Sequence, residues 1–263
     1  MSRAKAILTN LWPRFAALAG VVLVWWLVHA TGFFDRTILP SPAKVWSALT
    51  DNFFGEGGIG RAAQKSLFRL GVGLAIAIVI GTSIGISMAA SEKIRRSVGS
   101  LMTGLQALPS ISWLPLAILW VGYTERAILF VVLIAAIPAV ALATSGSISL
   151  VPPLLVRAGR TLGARRWRLY RDVVIPAAVP GYVAGLQQSW AFAWRALMAG
   201  ELIATGARGL GHLQDMAREN FNAPVVMAVM VMILLIGMTV DILLGLVDRR
   251  IRARRGLLVE RAS

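Results

Sequence analysis

RAGRTLGARRWRLYRDVVIP, Arg157–Pro176, carries six arginines and one acid, Asp172, inside a chain that is 57% hydrophobic. It stands between two apolar runs, Ala127–Leu150 and Ala177–Thr205. So many charges do not belong inside a bilayer, so the stretch separates two membrane crossings. Working outward, four further apolar runs appear: Phe15–Phe33, Leu67–Ala90, Val98–Val121 (broken by Pro109 and Pro115) and Ala223–Val247. Each is close to the roughly 20 residues that a helix needs to cross about 30 Å of hydrocarbon. The expectation is an all-α, polytopic membrane protein with about six transmembrane helices.

Composition agrees. Only 15% of residues are charged, against about 25% in ordinary soluble domains, and the mean hydropathy is +0.71. The first run has the basic lead of a signal peptide (Arg3, Lys5, Arg14). Val28-His29-Ala30 is a poor cleavage site and Trp25-Trp26 is bulky, so an uncleaved first helix is expected. The division is then a cytoplasmic N-terminus, 1–14; a six-span domain, 15–247, whose cytoplasmic connection is 151–175; and a basic tail, 248–263.

The net charge of +15 arises from 27 Lys and Arg against 12 Asp and Glu. In a soluble protein this would suggest nucleic acid. Here it reads as topology, because cytoplasmic loops concentrate Lys and Arg. With the N-terminus inside, eighteen basic residues fall on inner segments and eight on outer ones. A multi-pass protein of the bacterial cytoplasmic membrane with both termini cytoplasmic follows, its arginines near anionic lipid and no nucleic acid as partner.

On the outer side, Ser41 caps a short helix with Pro42 at its first position, and Val45, Trp46, Leu49 and Phe53 share one side of it. In the second run Gly73, Ala77, Gly81, Gly85 and Ala89 form a stripe of small residues for close helix packing. The chain has no cysteine, and its two histidines, His29 and His212, are far apart in sequence. No catalytic residue, metal site or cofactor is expected.

Apolar residues interrupt the arginines of the opening stretch: Leu162, Trp167, Leu169 and Tyr170. With two glycines (Gly159 and Gly163) and no proline between Arg157 and Ile175, it reads as helix. Aromatic anchors with an arginine rim suit a protein interface. Ala158-Gly159, Thr161-Leu162-Gly163-Ala164, Trp167 and Ile175-Pro176 resemble the cytoplasmic signature of permease subunits of binding-protein-dependent ABC importers. LPSP (Leu39–Pro42), SWLPLAILWVG (Ser112–Gly122) and WRALMAGELI (Trp194–Ile203) are most similar to the nitrate, sulfonate, taurine and bicarbonate branch.

That resemblance implies the type I ABC importer permease fold, with a cytoplasmic coupling helix that docks on an ATPase. It also implies a paired permease or homodimer, two ATP-binding subunits and an extracytoplasmic substrate-binding protein. One departure stands out. Arg157-Ala158-Gly159 occupies the place where the family has Glu-Ala-Ala, so any contact made by that acid is absent or inverted. The chain has no phosphate-binding loop of its own: its lysines, Lys5, Lys44, Lys65 and Lys93, none of them after a glycine, do not fit one.

The fifth run carries Gln187, Gln188, Arg195 and Glu201 within an arc of roughly 140° at 100° per residue, with Trp194 sharing or bordering it. Gly185, Ser189, Ala193, Ala196 and Gly200 occupy the other side, suited to packing. Polar groups inside a span face a cavity or a partner. One reading is that this face lines a translocation path and Arg195 meets an anion, since its rigid fork of donors suits an oxyanion. The other is that Glu201 or Asp241 neutralises Arg195, which then only sets helix packing. An ATP-driven importer permease for a small solute, first among them an aliphatic sulfonate or a related oxyanion such as taurine or nitrate, is the reading that accounts for both the face and the stretch. An ion-coupled secondary transporter or channel is the alternative.

Overall fold

The computed structural model describes residues 3–55, 57–204 and 208–255, without the side chains of 3–15 and 18. The described residues are helices joined by short turns: α1 (Arg3–Ala30), α2 (Pro42–Asp51), α3 (Ile59–Ala90), α4 (Glu92–Ala107), α5 (Leu114–Val121) and α6 (Glu125–Ser149). After these come α7 (Pro153–Thr161), the single turn α8 (Trp167–Leu169), α9 (Ile175–Ile203), α10 (Leu210–Glu219) and α11 (Ala223–Arg254). Helix is the form that satisfies every backbone donor and acceptor within a segment when no water is present.

Three of these, α3, α6 and α11, are long and apolar enough to cross a membrane. The third expected span is not straight: α4 and the segment Ser110–Val121 meet at 95°. Pro109 causes the break. It pushes Leu108 out of the helical region, to φ −78° and ψ 130°, and itself lies at ψ 122°. Pro115 sits in the first turn of α5, where its missing N–H costs nothing. The first and fifth expected spans coincide with α1 (28 residues) and α9 (29 residues). The expected 1–14 arm is continuous with α1 from Arg3, and the tail at 248–263 begins as the end of α11. Residues 1–2, Thr205 and 256–263 lie outside the described residues.

At the centre α6 is held between α3 and α9. The small-residue stripe of α3 makes one contact. A Cβ on Gly81 would come within 2.7 Å of Val140 Cβ and 2.8 Å of the Ile137 carbonyl, and one on Gly85 within 2.6 Å of the Ala141 carbonyl. Without glycine there, the two backbones would have to separate. The other contact uses the small side of α9, where Gly185 lies against Ala143 and Gly200 against Ile128. Ser189, Ala193, Ala196 and Gly200 are buried, as their size predicts.

α2 is the amphipathic helix expected. Ser41 accepts from the Lys44 amide at 3.3 Å. Val45 and Leu49 enter the core with Ala228 and Val229 of α11, while Trp46 stays exposed. Trp25 Nε1 donates to the Pro40 carbonyl at 3.1 Å, and His29 Nδ1 lies 2.8 Å from the Leu39 carbonyl, so α1 is tied to the same end. The last turns of α3 (Ile86, Ala89, Ala90) border Trp167 and Tyr170. Its first turns border α10. The α8 turn and α10 therefore occupy opposite ends of the bundle.

Candidate functional site: an exposed turn and a polar helix face

Arg157–Ile175 is not one helix. α7 ends at Thr161, and the turn that stops it is a Schellman motif. Ala164 N–H donates to the Gly159 carbonyl and Gly163 N–H to the Arg160 carbonyl, both at 3.0 Å. Gly163 takes φ +87°, the left-handed conformation this motif requires and glycine adopts without penalty. The chain re-enters helix at Trp167, passes through one π-helical turn, Tyr170–Val174, and continues as α9 with Pro176 in its first turn. A glycine that the sequence reading tolerated inside a helix is thus what ends it.

Gly159 closes this bracket. It is buried, and a Cβ there would meet Val173 Cγ2 at 2.9 Å and Leu169 Cδ1 at 3.1 Å. Leu169 therefore turns inward, out of the apolar set expected to form the interface. Leu162 and Trp167 remain outward, 88% and 66% exposed. Ala164 is half-buried, and Arg157, Ala158 and Thr161 are exposed on α7. Thr161 Oγ1 donates to the Arg157 carbonyl at 3.1 Å. The Gly163 Cα faces open space, with nothing within 4 Å of an added Cβ. A bracket of two short helices thus offers a leucine and a tryptophan amid arginines.

The polar face of α9 is divided by its neighbours. Gln188 and Arg195 are exposed. Arg195 Nε donates to the Ala191 carbonyl at 3.0 Å, and its guanidinium carbon lies 4.9 Å from the Phe192 ring centre. Neither Glu201 nor Asp241 pairs with it. Asp241 accepts instead from Gln187 Nε2 at 2.6 Å, linking α9 to α11. Trp194 is buried and stacks on Trp190, ring centres 5.7 Å apart and 11° from parallel.

Glu201 belongs to the core, not to the open face expected for it. It is fully buried and accepts from Arg69 Nη1, from Ser66 Oγ at 2.8 Å and from the Gly211 amide at 3.1 Å. Ser66 Oγ in turn accepts from the Leu210 amide at 2.9 Å. The carboxylate and hydroxyl thereby cap the start of α10, whose free N–H groups favour negative charge. Arg69 also reaches Glu125 at 2.9 Å, so one guanidinium joins α3, α6 and α9. A buried charge of this kind persists only when paired. Arg69, inside the second apolar run, and Ser66, just before it, were missed as a site. Their i, i+3 spacing near the start of an apolar run was the available signal.

Known proteins bear directly on this arrangement. A family model described as binding-protein-dependent transport system inner membrane component matches residues 77–253. The taurine transport system permease protein TauC of Escherichia coli is 28% identical over 243 residues, 91% of this chain and 88% of its own. A probable ABC transporter permease of Brucella melitensis is 30% identical, covering 94% of this chain and 98% of its own. A bicarbonate transport system permease of Synechococcus elongatus is 25% identical, over 81% and 80%. The fold resembles the inward-facing MetNI methionine ABC transporter, with a TM-score of 0.64 at 22% identity, over 73% of this chain and 95% of that one. With its all-helical core and exposed connection between α7 and α8, the chain belongs to the binding-protein-dependent transport system inner membrane components, the permease subunits of ABC importers.

Proposed function

We propose that this permease carries a small oxyanion into the cell, an aliphatic sulfonate such as taurine first among them. Movement is by alternating access, driven by ATP hydrolysis on two separate subunits. The observation that supports this best is the exposed turn from Leu162 to Trp167. An apolar pair held outward by a Schellman turn, at the end of the bundle rich in arginine, suits a groove on a soluble ATPase. Ala158, Gly159, Thr161, Gly163, Ala164 and Pro176 shape that turn, and Arg157 supplies a positive charge where the family has an acid.

In this reading the turn transmits closure of the ATPase pair to α9 through the π-helical turn. Two permeases, as a homodimer or a related pair, enclose the path between them. Gln187, Gln188 and Arg195 face it, and Arg195, with no acid beside it, meets the anion. Both termini and the basic tail lie on the cytoplasmic side of the inner membrane, and an extracytoplasmic binding protein delivers substrate to the other end. The similarity to taurine and bicarbonate permeases supports an oxyanion, since both solutes carry one.

The test is reconstitution with the partner ATPase and binding protein in proteoliposomes. ATP-dependent taurine, alkanesulfonate, nitrate or bicarbonate uptake, insensitive to protonophores and sodium ionophores, is expected. Uptake that needs an ion gradient and no ATP would identify an ion-coupled transporter instead.

A further inference from the structure

The end of the bundle opposite the α7–α8 turn gathers positive charge: Lys65, Arg126 and Arg208, beside Arg61. Two clefts meet there, with Lys65 in the wall of both. The first, of about 350 Å³, opens between the start of α3 and α10, and Arg208 and His212 border it. The second, of about 590 Å³, opens between α3 and the start of α6, and Gln64 and Arg126 border it. Among the described residues neither cleft has an aspartate in its wall, and the one glutamate there, Glu125, is held by Arg69. Lys65, Arg126, Arg208 and His212 make no hydrogen bond or ion pair among the described residues.

Several arginines elsewhere find acids, though among the described residues Arg195, Arg157, Arg160, Arg165, Arg166 and Arg168 do not. Arg95 and Arg96 share Glu92, Arg218 takes Asp215, and Arg252 takes Asp248. Like charges gathered without a counter-charge repel, and a cleft of one sign focuses the field and concentrates the opposite ion. A second observation points the same way. Arg69 forms part of the wall of the second cleft, and its Nε is buried with no hydrogen-bond partner among the described residues. Such a donor is costly to leave unmade.

We infer that these adjoining clefts form a binding site for a small free oxyanion, a sulfonate, sulfate or bicarbonate, at the mouth of the permease. Lys65 is the shared cation, Arg126 and Arg208 its flanking donors, and the Gln64 amide a neutral donor. Arg195 borders neither cleft, so this site is separate from the polar face of α9. The recesses suit an ion better than a protein surface, which needs roughly 800 Å² per partner. That the ion goes on to be transported rests on the proposed function; that it binds does not.

The test uses the full chain in phosphatidylcholine nanodiscs. Its lysines are acylated with acetic anhydride and quantified by peptide mass spectrometry, at constant ionic strength set with sodium chloride. Millimolar sulfate or methanesulfonate is expected to slow acylation of Lys65 severalfold and leave Lys93 unchanged. The double variant Arg126→Gln, Arg208→Gln is expected to need about tenfold more anion for the same protection, the effect of losing about one charge-assisted hydrogen bond. Lys65 reactivity unchanged by tens of millimolar anion overturns the site. Protection that appears only with phosphatidylglycerol, or only when a binding protein is added, also overturns it and assigns the charge to lipid or to a protein surface. Protection of Lys65 without ATP-driven anion uptake leaves the site standing and removes the transport reading.

Discussion

Replacing Gly163 by aspartate separates the role of the α7–α8 turn in folding from its role in docking. In the folded chain Gly163 has φ +87°, and no atom lies within 4 Å of a Cβ built on it. The internal cost is therefore backbone strain alone, about 1–2 kcal/mol for an L residue in the left-handed region and less for aspartate, which visits it more readily. Spread over a chain of this size, 1 kcal/mol lowers Tm by about 2–4 °C. The new side chain projects outward beside Leu162 and Trp167, where a partner would seat. Gly163→Asp should thus express and melt nearly as the parent does, yet fail to co-purify with the ATPase and fail to transport. Gly159→Leu is the contrast. Its side chain must displace Leu169 and Val173, already 3.1 and 2.9 Å from the first added carbon, so overpacking of about 1–3 kcal/mol appears in Tm. Unimpaired ATPase co-purification and ATP-driven uptake in Gly163→Asp would refute the docking role of the turn.

Other outcomes follow from the core and the polar face. Glu201→Ala leaves Arg69 buried with only its exposed-side partner, Glu125; a loss of about 3–5 kcal/mol is expected in unfolding of the detergent-solubilised chain. The double variant Arg69→Met, Glu201→Leu should recover much of that loss; no recovery would show that capping of α10, not burial of charge, dominates. Gly81→Leu forces α3 off Val140 and the Ile137 carbonyl, so the solubilised protein should melt lower or aggregate. Arg195→Ala should leave assembly and Tm intact, because its hydrogen bond and ring contact among the described residues lie within α9, while lowering anion uptake. Uptake with unchanged affinity and rate would make Arg195 structural.

What the amino-acid sequence by itself determined is what depends on local composition and on position within one helix. Apolar length marked the runs that became α3, α6 and α11, and the small residues of α3 and α9 marked the faces that close on α6. Ser41 and Pro42 started α2. The interleaving of arginine with Leu162 and Trp167 marked a segment that stays outside the core. Hydropathy could not show that Pro109 turns the chain through 95°, because a kinked and a folded-back span have the same composition.

The fate of Glu201 was decided by tertiary structure. At 100° per residue it stands at the edge of the arc that holds Gln187, Gln188 and Arg195, and periodicity treats the four alike. α10 then folds back over the end of α9, so that Gly211 lies 2.8 Å, measured from its would-be Cβ, from the Met198 carbonyl. That return buries Glu201 and brings it Arg69 and Ser66, 132 and 135 residues away in sequence. Arg195, farther from that end, stays open. Periodicity sets the direction of a side chain from its own helix axis; which neighbour waits in that direction depends on how distant segments pack, and pairing a buried charge is a property of that packing alone.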